Sequence, residues 1–201
     1  YAASWMRALL SETEACPLKL ERLVGPTPPA SRSTSSYYIE FDASIWGGGA
    51  ILRDSSACVV EYFSILWTDE DAAHVGVAPN DCRHQTFWEF LTLLLALVTW
   101  GDQFTEETVL VLGDNTGALD DALSLKGRGP LIAISRELSW RQARRGWKFT
   151  VGHLPSEHNS VSDALSRVAD PKGCEWPALA LASAAYRAPP KVCDLWLARP
   201  W

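Results

Sequence analysis

The sequence lacks any Cys-x-x-Cys pair, and its five cysteines (Cys16, Cys58, Cys82, Cys174 and Cys193) are odd in number and widely spaced. That pattern argues against a disulfide frame or a zinc knuckle and for reduced thiols. Cys82-Arg-His84 with His74 nearby is too sparse to read as a metal site. A basic excess is also missing. The net charge is -6, so a nucleic-acid role needs a local basic patch, or metal ions to offset the repulsion. Nor is there an apolar run of membrane length: the longest, Phe87 to Trp100, is too short to span a bilayer and carries Glu89. No signal peptide is visible, so the expectation is a soluble, intracellular protein, cytoplasmic or nuclear, with no membrane partner.

What is present suits a folded enzyme-sized domain. A length of 201 residues fits one core domain with extensions. Ten tryptophans imply large buried surfaces or stacking platforms. Residues 1–34 read as an N-terminal extension, with a helix from Ser4 to about Glu14, a break at Cys16-Pro17 and a Pro/Ser-rich linker beginning at Gly25. Residues 35–169 form the main domain. Residues 170–201 are a Pro- and Trp-containing tail, with a short Ala/Leu-rich helix expected from Trp176 to about Tyr186.

Within the main domain, Tyr37, Ile39 and Phe41 alternate with Tyr38, Glu40 and Asp42, the period of a strand. Gly47-Gly-Gly49 follows, allowing a tight turn or a close approach of backbone. Gly49–Arg53 and Cys58–Trp67 read as two more strands joined by Asp54-Ser-Ser56, completing an antiparallel meander. The acidic stretch from Thr68 to Cys82 reads as a surface loop. Arg83 to Gly101 is apolar around its whole circumference, the mark of a buried central helix. Thr108–Gly113 is an uninterrupted apolar run, as expected of an interior parallel strand. A helix capped by Asn115 runs to about Leu125, another spans Leu131 to Arg145, and a strand follows over Trp147–Gly152. After the loop from His153 to Asn159, a last helix begins near Ser160. The order β-β-β-α-β-α-α-β-α is that of an α/β fold with a mixed sheet.

Four acids stand out by position. Asp42 ends the first strand, Glu89 is the single acid in the apolar helix, Asp114 ends the fourth strand and Asp163 opens the last helix. Taken singly, Asp42 reads as a turn cap, Asp114 as a helix-capping residue and Asp163 as a first-turn acid favoured by the helix dipole. Ligands of open α/β sheets gather at the carboxyl ends of strands. Four carboxylates converging there repel one another unless hard cations such as Mg²⁺ or Mn²⁺ fill the site. Two such ions clamp the attacking and leaving oxygens of a phosphodiester.

The motifs then carry a resemblance. His153-Leu-Pro-Ser-Glu-His-Asn-Ser-Val-Ser-Asp163-Ala-Leu-Ser-Arg167 is similar to the ending of ribonuclease H domains of retroelement reverse transcriptases. Phe41-Asp42-Ala-Ser with the following glycines resembles that family's first-strand Asp and turn. Glu89, followed by Ala96-Leu97, resembles its helix Glu, and Gly113-Asp114-Asn115-Thr116 its Asp-Asn-Thr form in LTR- and DIRS-type elements. The resemblance covers residues 37–169. It implies a ribonuclease H-like fold, with a mixed five-stranded sheet of three antiparallel strands then two parallel ones, flanked by helices. It implies Asp42, Glu89, Asp114 and Asp163 as catalytic acids holding two Mg²⁺ or Mn²⁺ ions, and His153 as a loop histidine assisting proton transfer or product release. The substrate implied is an RNA/DNA hybrid whose RNA strand is hydrolysed. The expected substrate contacts are Ser44, Gln85, Thr86, Asn115, Thr116 and Asn159, with Ser44, Gln85 or Thr86, and Thr116 as the candidates to read 2′-hydroxyls across the minor groove.

Between Leu125 and Leu131 there is room only for Lys126-Gly-Arg-Gly-Pro130, so the basic helical protrusion of some members is missing. With the negative net charge, this implies weak hybrid binding by the domain alone and a polymerase module as its neighbour. Arg136, Arg141, Arg144, Arg145 and Lys148 read either as a phosphate-tracking patch or as a solvated helix face. The alternative function is a catalytically silent module of the same fold, binding hybrid or a protein partner. The intact set of acids with His153 favours the enzyme.

Overall fold

The alternation at the start of the main domain produces strand β1, Tyr37–Ala43, in which Ile39 and Phe41 are fully buried. The computed structural model describes residues 36–78, 81–104 and 107–196. The expected helix from Ser4 and the linker at Gly25 lie outside the described residues. Strands β2 (Gly47–Asp54) and β3 (Val59–Leu66) complete the antiparallel meander. Asp54 builds the turn between them: its Oδ1 accepts hydrogen bonds from the backbone N–H of Ser56 and Cys58, while Ala57 takes a left-handed φ of 62°.

The remaining strands, β4 (Thr108–Gly113) and β5 (Lys148–His153), add in parallel to the other side of β1, with Ile39 opposite Val111 and Gly113 opposite His153. Order and senses are those the ribonuclease H resemblance implies, with one correction. The sheet has six strands, not five, in the order β5-β4-β1-β2-β3-β6. The sixth, β6 (Ala185–Tyr186), comes from the tail and pairs in parallel with β3 at Glu61 and Tyr62. The tail segment read as one helix is a single turn, Ala178–Leu181, followed by this strand.

Another correction falls on the acidic stretch after β3. It folds into helix α1, Asp69–Val75, because Thr68 and Asp71 form a reciprocal capping box. Gly76 then ends the helix at φ 68°, and Cys82–His84 form a 3₁₀ turn. Helix α2, Gln85–Trp100, follows; it is buried along almost its whole length, including Glu89. Helices α3 (Thr116–Ser124) and α4 (Leu131–Arg145) pack beside it, and together they bury one face of the sheet. Asn115 caps α3 by accepting from the N–H of Ala118 at 3.1 Å.

The opposite face of β1–β3 is covered by the short helix α5, Ser160–Ser166, whose Leu165 packs on Ile51. The glycine run of β2 lets both helix layers come close. A Cβ on Gly48 would meet the Thr92 hydroxyl of α2 and lie 3.0 Å from the Trp67 ring. One on Gly49 would stand 2.5 Å from Leu165 Cβ and 2.6 Å from the Ser162 carbonyl of α5. Successive side chains point to opposite faces of a sheet, so neighbouring glycines serve opposite layers.

Of the basic residues on α4, Arg141 and Arg144 are buried, which removes both from the two surface roles their sequence suggests. Arg141 donates through Nε to Glu137 at 2.8 Å and through an Nη to the Leu195 carbonyl at 2.6 Å. Val192, Leu195 and Trp196 join the main core, so this pair fastens the tail to the domain. Arg136, Arg145 and Lys148 are exposed.

Two substitutions test this packing in chemical denaturation. Gly49→Ala should destabilise by ~1–3 kcal/mol, because its Cβ overpacks the contact with α5. Arg141→Ala should cost about 3–5 kcal/mol, because it breaks a buried ion pair and removes the donor to the Leu195 carbonyl. Wild-type stability in both variants would contradict the packing described.

Candidate functional site

Parallel neighbours β1 and β4 end side by side, and each delivers an acid there. Asp42 is the last but one residue of β1, and Asp114 follows Gly113 at the end of β4. Glu89 comes from the second turn of α2 and reaches the same point from the helix-covered face. Asp42, Glu89 and Asp114 bring one carboxylate oxygen each within 4.8 Å of one another. Among the described residues, no other set of acids, histidines or cysteines gathers in this way.

Each carboxylate is held by a named donor. The Ser166 hydroxyl donates to Asp42 Oδ2 at 2.7 Å, and the Ser156 hydroxyl to Asp114 Oδ2 at 2.6 Å. Gln85 Nε2 bridges the Ala43 carbonyl and Glu89 Oε1, the latter at 3.1 Å. Ser156 and Ser166 had no assigned role in the sequence. Both fall within the His153–Arg167 motif, Ser156 opening the 3₁₀ turn Ser156–His158 and Ser166 three residues after Asp163 on α5.

Asp163 lines the same cleft but stands apart from the three. Its Oδ1 is paired with Arg167 Nε at 2.5 Å, one turn along α5. Arg167 also lines the cleft and lies 6.0 Å from the centre of the Trp46 ring. His153 is the exposed last residue of β5, opposite Gly113, and not part of the loop that follows.

The expected substrate contacts divide by exposure. Gln85 and Asn115 line the cleft, and Thr116 is exposed at the start of α3. Thr86 is half-buried beside Gly117. Ser44 and Asn159 are buried and serve the scaffold. The Ser44 hydroxyl donates to the Ser166 carbonyl at 2.6 Å and accepts from the Trp46 N–H at 3.1 Å. Asn159 Nδ2 donates to the Phe41 carbonyl at 2.9 Å, tying the last loop to β1. The cost of leaving a buried amide unpaired explains such pins, and neither side chain is presented to the cleft.

The electrostatics follow from burial. Asp42 is 4% exposed, and burial pushes its carboxyl up to about 7 from an ordinary 3.8, with Asp114 and Asp163 adding repulsion against the Ser166 hydrogen bond. Burial likewise raises Glu89 well above the usual 4.5, and the charge of Asp42 adds to it. Among the described residues, Glu89 Oε2 is buried with no hydrogen-bond partner. Clustered carboxylate oxygens with one lone pair unsatisfied fit a hard divalent cation, which binds through oxygen.

A raised folded-state pKa has a definite sign. Folded Asp42 keeps a proton that the unfolded chain releases above about pH 4, so its contribution is intact below that and lost as pH rises through about 7. Without metal, thermal stability should therefore fall between about pH 4 and pH 8, and Asp42→Asn should flatten that slope. Mg²⁺ should raise Tm more at about pH 8 than at about pH 5, since the cation competes with the proton. A pH slope unchanged in Asp42→Asn would contradict the assignment.

No protein-family model matches the chain, and no curated protein matches its sequence. Solved structures similar to it include ribonuclease H1 of the halophilic archaeon Halobacterium salinarum, at 18% identity over 68% of this chain and 98% of that one, with a TM-score of 0.47. Another is LC11-RNase H1, isolated from compost by a metagenomic approach, at 18% identity over 64% of this chain and 89% of that one, TM-score 0.46. The same compost protein in complex with an RNA/DNA hybrid gives 17% identity, 64% and 92% coverage, and a TM-score of 0.45.

Proposed function

We propose that this chain is a divalent-metal-dependent endonuclease of the ribonuclease H type, hydrolysing the RNA strand of RNA/DNA hybrids. The observation that carries the reading is the meeting of Asp42, Glu89 and Asp114, within 4.8 Å, from three elements far apart in sequence. These are the positions, in the same order, that the motif resemblance implies. A purely structural cluster of this kind gains nothing from burying two acids against each other.

In this reading Asp42, Glu89 and Asp114 hold Mg²⁺ or Mn²⁺, two ions in all, with Asp163 at the edge of the site. Bound there, such ions supply Lewis acidity and an activated water for in-line displacement at a phosphodiester. The chain's own groups prepare the site. Ser166 and Ser156 fix the rotamers of Asp42 and Asp114, and Gln85 aims Glu89 while anchored on the Ala43 carbonyl. His153, exposed at the end of β5, is the proposed proton carrier for the leaving oxygen. In this reading Gln85 and Thr116 would contact 2′-hydroxyls of the RNA strand, the feature that separates RNA from DNA, and Asn115 would contact the substrate beside them.

The proposed setting is intracellular, as part of a retroelement reverse transcriptase. A chain of net charge -6 has few cations to spare for phosphates, and a polymerase module beside it would supply them.

The protein should be incubated with an end-labelled RNA/DNA hybrid and Mg²⁺ or Mn²⁺, beside RNA and DNA duplexes. Cutting confined to the RNA strand of the hybrid is expected, falling by roughly a thousandfold in Asp114→Asn, since several kcal/mol of transition-state stabilisation goes with the ligand. Equal cutting of all three duplexes, or hybrid cutting undiminished in Asp114→Asn, would overturn the reading. Hybrid binding without cleavage under either metal would instead favour the silent module.

A further inference from the structure

Arg167 is the only basic residue lining the cleft among the described residues, and it is bonded to the acid that does not join the other three. Its Nε lies 2.5 Å from Asp163 Oδ1, and its guanidinium carbon sits 6.0 Å from the Trp46 ring centre. Trp46 is itself positioned from below, its N–H donating to Ser44 Oγ and its carbonyl accepting from the Trp67 N–H at 3.0 Å. The guanidinium is therefore gripped by an acid and by an aromatic face. The contact with Trp46 adds a cation–π attraction.

We infer that Arg167 is a positioning residue, a latch that holds Asp163 away from Asp42, Glu89 and Asp114 and so weakens cation binding until Asp163 is released. This rests on the metal-site reading above and extends it to a residue with no assigned role. Both partners of the ion pair are 41% exposed in their side chains, and exposed pairs are weak enough to exchange partners. A cation entering the cleft competes directly for Asp163. Arg167 also stands close enough to Asp42 for each to favour the other's charged form. One guanidinium thus serves two acids of the site.

The latch makes a prediction that a general charge effect does not. Mn²⁺ binding is measured directly, by electron paramagnetic resonance of the free ion, on wild type, Arg167→Gln, Trp46→Ala, Asp163→Asn and the Asp163→Asn/Arg167→Gln double variant. Arg167→Gln should tighten binding by about two- to fivefold, the range of an exposed ion pair. Trp46→Ala, which alters no charge, should shift it in the same direction. Asp163→Asn should have less effect in wild type than in the Arg167→Gln background, the non-additivity expected of groups in contact. Strict additivity, with Trp46→Ala indistinguishable from wild type, would overturn the latch. So would tighter binding in Asp163→Asn than in Arg167→Gln. Absence of Mn²⁺ binding in every variant would overturn both the latch and the metal-site reading. Normal coupling without hybrid cleavage would sink only the hydrolytic reading.

Discussion

Two carboxylates buried against each other at the end of a β-sheet are the constraint on which this molecule turns. Asp42 and Glu89 are each nearly sealed from water, and both are pushed toward the protonated form by burial and then by their neighbours. Isolated charges in such surroundings are among the most expensive things a fold can contain. They persist here because strand β1 and helix α2 are fixed by large apolar surfaces that leave the two acids no other place. Phe41 and Ile39 on one side and the leucines of α2 on the other decide the geometry. The acids have to accept it.

The close approach of layers is what makes the acids meet. Gly48 and Gly49 admit α2 to one face of β2 and α5 to the other, and β2 lies beside β1 with Gly49 opposite Asp42. A side chain at Gly49 would lift α5, which carries Ser166 to Asp42 and Asp163 to the cleft. Packing on one strand therefore sets hydrogen bonding on the next. At the far end of the fold the tail is locked by a similar device, a buried Arg141–Glu137 pair that also captures the Leu195 carbonyl.

Much of this was legible in the sequence because an acid is conspicuous against an apolar background. Glu89 inside a helix of leucine and aromatics, and Asp114 ending a run of valine and leucine, announce themselves without any partner in view. The order of elements along the chain followed from residue patterning, whereas the arrangement of the strands within the sheet came only with the ribonuclease H resemblance. Legibility failed where the deciding contact is remote. Arg141 and Arg144 look like surface charges until the tail and the helix packing bury them, and β6 is invisible until Tyr62 offers its backbone to Arg187. Helix α1 was hidden for a different reason: it is only seven residues long, too short to show an apolar period, and its signal is the local Thr68–Asp71 capping box. Ser44 and Asn159 sit in the right motifs yet face inward, because both satisfy backbone groups that the fold has buried. Motif position locates a residue on the chain but leaves its direction to packing.

The central claim is that Asp42, Glu89 and Asp114 are held together as the ligands of a cation. Anomalous scattering from crystals grown with Mn²⁺ near neutral pH tests it most directly. A peak bonded to oxygens of these three residues is predicted, with the lone pair of Glu89 Oε2 now used. A cleft with no anomalous peak at saturating Mn²⁺, its carboxyl groups bonded only to one another and to Ser156, Ser166 and Gln85, would contradict the account.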